Sequence, residues 1–435
     1  MKRTPFPPLF WIGNVIEVLE RFAYYGLYMG FGIYVTKAVA DGGLGWEKGQ
    51  LGDIQTLFLL LSYSVPLVSG ILADRYGFKR LLMLSYFLYL PGFLLLLWAR
   101  SFLGVVAVMA LIGIAAGVFK PLIAGTVRLT TDHTNRTLGF GIFYLMVNVG
   151  AFFGPMTAGA LRTHHWNWAF LASAVAVVLM IVVTAVFYRD PIDPTAATGK
   201  RPELLAQIKE IWPYLKDPKI LLFIIIFGVF IEIPFWAFFN VVAVFVDEYV
   251  RTDILYDMFS RVLGTTIVGW FSTVDENGVH RIAGETLAHT ALYIIILQMF
   301  VTRTMERLRS VPAVAVGIFL MVLGCIGLYF STGPMPLLMF VGILLFAVGE
   351  MGCMPRFEQY LISMLPPEKT GLGGGLLRIP VAVGAFSGSI MTRMYGWFEN
   401  AGNPQGIWLV QAGCLLLGFF ALLIYDRVFH AAEID

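Results

Sequence analysis

The sequence predicts an all-α membrane protein of twelve transmembrane helices, arranged as two sets of six. Composition is the first observation behind that expectation: of 435 residues 58% are hydrophobic and only 13% charged, against roughly 25% charged in an ordinary soluble domain. Mean hydropathy is +0.78. The second is periodicity. Runs such as 221–230, 291–301 and 313–329 are almost wholly apolar without two-residue alternation, which suits spanning helices and not barrel strands. The third is a polar stretch over 189–219 that divides the apolar segments into equal groups. A chain with so little surface charge takes lipid as most of its solvent, and only helices that satisfy their own backbone groups meet hydrocarbon cheaply.

A requirement of about twenty apolar residues per span places helices near 9–36, 50–73, 79–99, 102–128, 137–160 and 167–188. A second set follows near 220–247, 286–303, 311–331, 335–363, 370–395 and 406–428. The domains read as an N-terminal bundle over 1–188, a linker over 189–219 and a C-terminal bundle over 220–435. The linker opens on Asp190-Pro191 and carries Leu204, Leu205, Ile208, Ile211 and Trp212 at helical spacing, as an interfacial helix would. The segment 248–285 is the longest outer connection. Its stretch from Phe259 to Trp270 is apolar enough to pack on the bundle or lie at the interface, although a plain loop is the simpler expectation. Met1-Lys2-Arg3 is basic, but Glu17, Glu20 and Arg21 follow with no small-residue cleavage site, so the first span is expected to be retained.

An even number of spans puts both termini on one side. Lys and Arg residues fall eighteen on that side and eight on the other, with Arg21, Lys120, Arg356 and Arg378 at membrane depth. The positive-inside rule then makes both termini cytoplasmic, in a multi-pass cell (inner) membrane protein. A net charge of +2 without a basic patch implies no nucleic-acid partner. Cys325, Cys353 and Cys414 lie in apolar segments and read as small core residues. His133, His164 and His165 have no metal-ligand spacing, so no metal site is expected. No GxxxxGK[ST] phosphate loop and no nucleophile with a base appear, which argues against ATP as an energy source and against an enzyme.

The segment Gly70-Ile-Leu-Ala-Asp74-Arg75-Tyr-Gly77-Phe-Lys79-Arg80 joins spans 2 and 3. An Asp at a helix end, a Gly that permits a tight turn and a basic cluster can form a charge relay, so Asp74, Arg75, Lys79 and Arg80 are candidates for a conformational latch. A degenerate echo, Thr304-Met-Glu306-Arg307-Leu-Arg309, follows six spans later, as two parallel halves would give. The first segment resembles the signature loop of the major facilitator superfamily. That resemblance implies a major facilitator fold of two pseudo-symmetric six-helix bundles working by alternating access.

Span 1 contains Glu17-Val-Leu-Glu20-Arg21-Phe22-Ala-Tyr24-Tyr25-Gly26. Spacings of three and four residues align Glu17, Glu20, Arg21, Tyr24 and Tyr28 on one face. Ionisable groups at that depth must look into the bundle or a wet cavity. Two carboxylates beside one guanidinium can trade a proton, releasing Arg21 toward a substrate anion; a purely structural ion pair is the competing account.

These residues resemble the ExxERFxYYG motif of the proton-dependent oligopeptide transporters, a branch of the same superfamily. Gly117-Val-Phe119-Lys120-Pro121 resembles that family's GxFKP, Phe143-Tyr144-Leu-Met-Val-Asn148-Val-Gly150 its FYxxINxG, and Gly349-Glu350 with Pro355 its GExxxxP. Tyr63 resembles a binding-site Tyr of span 2. The resemblance implies proton coupling through Glu17, Glu20 and Arg21, and solute contacts from Arg21, Tyr24, Tyr25, Tyr63, Lys120, Tyr144, Asn148 and Glu350. The sequence departs from the family at Tyr28, where a second Arg is frequent, and at Asn240, which occupies the acidic position of span 7. It also departs at Arg356 and Glu358 in span 10 and at Arg378 in span 11, near a frequent Trp. These positions, too, are candidate solute contacts. Arg21 and Lys120 suit a carboxylate while Glu350 and Glu358 could receive an ammonium, so a zwitterion could bridge the halves. Pairing of Arg356 and Arg378 with Glu358 and Glu350 would instead give a neutral lock or an anion site. Glu232 in span 7 is a further acid that could take a proton.

Gly150-Ala-Phe-Phe-Gly154-Pro155 also resembles the antiporter motif of drug exporters, although glycines so spaced serve helix packing equally well. The expectation is therefore proton-coupled symport of small peptides or peptide-like zwitterionic or anionic solutes, with proton-driven export of drugs or metabolites as the alternative. The expected partners are the solute, protons and the bilayer. No cofactor is expected beyond the proton gradient, and the protein is expected to be a monomer.

Overall fold

The computed structural model describes residues 4–191, 212–275, 278–365 and 376–434. The side chains of Ile71, Asp74, Thr137 and residues 430–434 lie outside that description, as does most of the expected linker helix. Ten of the described helices are long and apolar enough to cross a membrane. Span 1 (Pro8–Thr36) is equally long but carries the three charges at 17, 20 and 21. Span 11 runs as Arg378–Gly384, a π turn over Gly388–Thr392, and Arg393–Asn400. Together these make the twelve helices of two six-helix bundles.

The N-terminal spans after the first are Lys48–Ser64 continued by Pro66–Tyr76, then Phe78–Leu95, Phe102–Leu129, Arg136–Arg162 and Trp166–Phe187. Span 2 is split because Pro66 supplies no N–H and clashes with the preceding turn. The C-terminal spans are span 7 (Pro218–Phe227, a π segment Gly228–Glu232, then Ile233–Tyr249), span 8 (Gly284–Met305), span 9 (Ser310–Tyr329), span 10 (Leu337–Ser363), span 11 and span 12 (Gly406–Ile434). Local chemistry sets several starts. The Ser101 hydroxyl accepts the Gly104 N–H at 3.2 Å, and Glu47 with Gln50 forms a reciprocal capping box.

The segment 248–285, for which a loop was the simpler expectation, is largely ordered. It holds a helix over Thr252–Leu263, a single turn over Thr265–Gly269 and an antiparallel pair of strands, β1 (Ser272–Val274) and β2 (His280–Ile282). The alternating pattern was too short to detect in three-residue strands.

The halves meet on the face opposite the termini, called the outer face below. There spans 1 and 2 touch spans 7 and 11, and span 5 touches the start of span 8. Gly52 of span 2 lies against Gly388 of span 11 so closely that a Cβ on either would collide with the other's carbonyl oxygen. This is a small-residue contact of the kind that lets helix backbones approach. Gly52→Val is expected to wedge the outer ends apart. Ser389, whose hydroxyl lies 2.8 Å from the Thr56 hydroxyl in this seam, supplies the readout. In a Ser389→Cys background a water-soluble maleimide should label the Gly52→Val variant faster than the parent; equal rates would show that the seam tolerates the methyls. Gly150 and Gly154 of span 5 pack in the same way on span 1, against Val18, Arg21, Phe22 and Gly26. Packing therefore accounts for that motif.

Candidate functional site

Span 1 carries its charged face inward. Glu20 is fully buried, and its carboxylate accepts from Arg21 Nε at 2.5 Å and from the Tyr89 hydroxyl of span 3 at 2.6 Å. Glu17 lies one turn away with Oε1 3.2 Å from Arg21 Nε. Arg21 is thus held between two carboxylates, and its guanidinium carbon lies 5.1 Å from the Tyr24 ring centre and 5.9 Å from that of Tyr25. Tyr89 was not singled out in the sequence; an aromatic hydroxyl in an apolar span gives no signal of its partner.

Lys120 of span 4 stands with Nζ 3.5 Å from the centre of the Tyr63 ring and 5.3 Å from that of Tyr24. Its ammonium is buried and finds no hydrogen-bond acceptor among the described residues. From the other half Arg378 of span 11 comes within electrostatic reach of Lys120, and Glu350 of span 10 has one carboxylate oxygen buried without a partner among the described residues. Tyr25 and Tyr144 fall within electrostatic reach of Glu350, and Glu358 within reach of Arg378. Tyr63 also packs at a tilt on Trp236 of span 7, whose indole N–H donates to buried Glu232 at 3.1 Å. Spans 1 and 4 therefore bring together two carboxylates, a guanidinium and the Lys120 amine, while spans 7, 10 and 11 bring Glu232, Glu350, Glu358 and Arg378, with Tyr24, Tyr25, Tyr63, Tyr144 and Trp236 among them.

Three candidate contacts differ from expectation. Arg356 does not join the cluster: its guanidinium donates to the Met305 carbonyl at 2.9 Å and to Gln359 at 2.8 Å, in a recess between spans 8 and 10. Six residues beyond Glu350 it points from another side of the helix, and neither it nor Arg378 forms an ion pair with Glu350 among the described residues. Tyr28 and Asn240 are tied to each other by a hydrogen bond from the Tyr28 hydroxyl, while Asn240 Nδ2 donates to Ser387 at 2.9 Å and its carbonyl accepts from Gln55 at 3.1 Å. They link spans 1, 2, 7 and 11 and satisfy one another across the bundles. Asn148, also a candidate contact, donates at 2.9 Å to the Tyr144 carbonyl one turn back.

At the signature loop, Gly77 has φ +90°, and a Cβ there would sit 3.1 Å from an Asp190 carboxylate oxygen. Asp190 instead accepts the Lys79 N–H at 2.8 Å, and Lys79 Nζ donates to the carbonyls of Ala185 and Tyr188 at 3.0 and 2.9 Å. The loop is thereby fastened to the end of span 6. Arg75 lies over Tyr76 at 5.3 Å, Arg80 makes no ion pair among the described residues, and Asp74 falls outside the described side chains.

The largest feature missed in the sequence is ionic. Arg162, at the outer end of span 5, reaches across to Asp247 of span 7 at 2.5 Å and to Glu285 of span 8, with Nη2 2.8 Å from Glu285 Oε2. Lys37 adds a contact to Asp247 at 3.4 Å. Lys48 binds Glu248 at 2.9 Å and Glu399 at 3.3 Å, and Arg393 binds Asp53 at 2.7 Å. Each pair joins one half to the other. Asp247, Glu248 and Glu285, lying at span ends, were the available signal.

Twelve helices with charged groups buried between two bundles that meet on one face define a multi-pass membrane protein with a polar interior. The model of the Major Facilitator Superfamily matches residues 18–274, and the chain belongs to that superfamily. The peptide transporter YePEPT of Yersinia enterocolitica is 30% identical over 38% of this chain and 34% of its own length. A Na(+), Li(+), K(+)/H(+) antiporter of Planococcus maritimus is 24% identical over 88% of each chain. The crystal structure of a peptide transporter POT in complex with sulfate superposes with a TM-score of 0.75 at 20% identity, covering 97% of this chain and 95% of that one, which shows the fold alone. The chain spans about a third of the length of the first curated relatives it matches, at 34 and 35%. The three relatives are transporters or an antiporter by name.

Proposed function

We propose that this protein is a proton-coupled symporter of small peptides or peptide-like zwitterionic or anionic solutes, working by alternating access between two bundles, residues 1–188 and 220–435. The observation that carries the reading is the burial together of Glu17, Glu20, Arg21 and a Lys120 without a hydrogen-bond acceptor, with Tyr25 of the same span within electrostatic reach of Glu350 of the other bundle. Burying these groups costs several kcal/mol per ion unless each is compensated. A scaffold has no use for that cost. A solute carboxylate would satisfy the Lys120 ammonium, and a solute ammonium the free oxygen of Glu350. Protonation of Glu17 or Glu20 would weaken their hold on Arg21 and free it for the same carboxylate, linking proton and solute. We take both termini as cytoplasmic, which puts the face where the bundles meet on the extracytoplasmic side.

Thermal stabilisation of the purified protein tests the cargo, because a ligand that binds only the folded state raises the melting temperature by linkage. Di- and tripeptides are expected to stabilise the wild type and to lose that effect in Lys120→Ala. Stabilisation by lipophilic cations or non-peptide anions alone would reject a peptide cargo. The full-length likeness to the cation/proton antiporter favours one rival, proton-driven export. Proteoliposomes separate the two: peptide influx should carry protons inward with it, whereas outward solute flux against proton entry would establish antiport.

A further inference from the structure

The helix Thr252–Leu263 sorts its side chains into three strips. Thr252 and Leu255 are fully buried, and Phe259 sets its ring 6.2 Å from Phe340, so one strip packs on the bundle. Asp253, Asp257 and Arg261, spaced by four residues, form a polar strip, with Arg251 paired to Asp253 at 2.6 Å beside it. Between the two runs an apolar strip of Ile254, Met258 and Val262, the last 81% exposed. Beyond the helix the exposure continues through Leu263, Ile267 at 45% and Trp270 at 64%.

Position decides what covers this strip. Phe340 is in the first turn of span 10, and its carbonyl accepts from the Tyr293 hydroxyl of span 8 at 3.4 Å. The helix therefore stands level with the outer ends of spans 8 and 10. Just inward of it, span 8 exposes Leu292, Ile296, Met299 and Phe300 on a flank that faces hydrocarbon. By helical spacing the polar strip faces away from the buried one and the apolar strip lies between them. A water-facing segment would leave Met258, Val262, Leu263, Ile267 and Trp270 as one apolar patch in solvent, which soluble surfaces avoid.

We infer that Thr252–Leu263 and its extension to Trp270 form a monotopic element seated in the outer leaflet, with Met258, Val262, Ile267 and Trp270 in the boundary between headgroups and acyl chains and Asp257 and Arg261 in water. An amphipathic helix lying in the plane of the interface, with a Trp at headgroup level, has this arrangement. The inference is independent of the solute. Because the element joins span 7 to span 8, it lies next to Asp247 and Glu285, so its hold on lipid also fixes one side of the outer closure.

Site-directed spin labelling in vesicles of phosphatidylethanolamine and phosphatidylglycerol tests it. Single cysteines replace Asp257, Met258 or Val262 in a chain whose three native cysteines are alanine. Labels at 258 and 262 are expected to collide with oxygen several-fold more than with a water-soluble nickel chelate, and the label at 257 to show the reverse. Nickel accessibility at 258 and 262 equal to that at 257 would overturn the inference by placing the helix in water. Exclusion of both reagents at 258 and 262 would overturn it too, by showing a protein covering the strip. Since all three sites are exposed, one variant that fails to fold leaves the other comparison intact.

Discussion

Glu20→Gln should abolish concentrative uptake under a proton gradient while leaving solute exchange between equal pools. Glu20 is the best-held acid of the cavity, with no exposed surface and with Arg21 and Tyr89 as its partners. The amide keeps the shape and can still accept from Tyr89, so the cavity remains assembled. What it removes is the charge that holds Arg21 and the site that a proton can occupy. Loss of one partner from a buried ion pair is worth about 3–5 kcal/mol, or roughly two to four decades in an equilibrium. Glu17 at 3.2 Å remains for the guanidinium, which places the expected loss of gradient-driven uptake near the lower of those decades, about a hundredfold. Proteoliposome uptake with an imposed pH gradient, set beside counterflow of labelled solute, reads both quantities. Undiminished gradient-driven uptake would remove Glu20 from the coupling machinery; loss of counterflow as well would make it a packing residue.

The parts of this protein that could be read in advance are those whose physical cause is local. Twelve apolar segments follow from the length of helix a bilayer requires, with ends within a few residues except the start of span 11 near 370, which lies outside the described residues, and Glu17, Glu20, Arg21 and Lys120 betrayed themselves by being charged where charge is expensive. What could not be read was mutual. Tyr28 and Asn240 each look like polar groups awaiting a solute, and only the fold shows that they satisfy one another across 212 residues of sequence. Arg356 differs from Glu358 by two positions, yet the helix turns it toward the Met305 carbonyl instead of the cavity. Lys37, Lys48 and Arg162 entered the count of outer-side charges as loop residues, because a basic residue at a span end is ordinarily solvated. Their acids lie on the other bundle, beyond any periodicity. The helix at 252–263 carried a usable signal in its strips of polar and apolar residues, but the short strands that follow it did not.

That ionic closure supplies the second large effect. Arg162→Gln is expected to shift the protein from closed to open on its outer face. Arg162 is nearly inaccessible, with 3% of its side chain exposed, and it alone stands between Asp247 and Glu285. Removing it leaves two buried carboxylates facing each other with Lys37 at 3.4 Å as the remaining cation, so repulsion replaces attraction at the contact between the bundles. A shift of about 5.5 kcal/mol carries a two-state population from 1:99 to 99:1, and the roughly 3–5 kcal/mol lost with one partner of a buried pair is most of that range. Spin labels at Val39 and Asn403, both exposed and on opposite bundles, should report a single short distance in the wild type and a dominant longer one in the variant. An unchanged distribution would mean that Lys48 with Glu248 and Glu399, together with the Gly52–Gly388 seam, closes the face unaided. The companion test is the triple variant Arg162→Gln, Asp247→Asn, Glu285→Gln. It restores neutrality without restoring the ion pair and should recover much of the closed population. If the distance stays long in the triple variant, specific hydrogen bonding by the guanidinium, and not charge balance, holds the outer ends together.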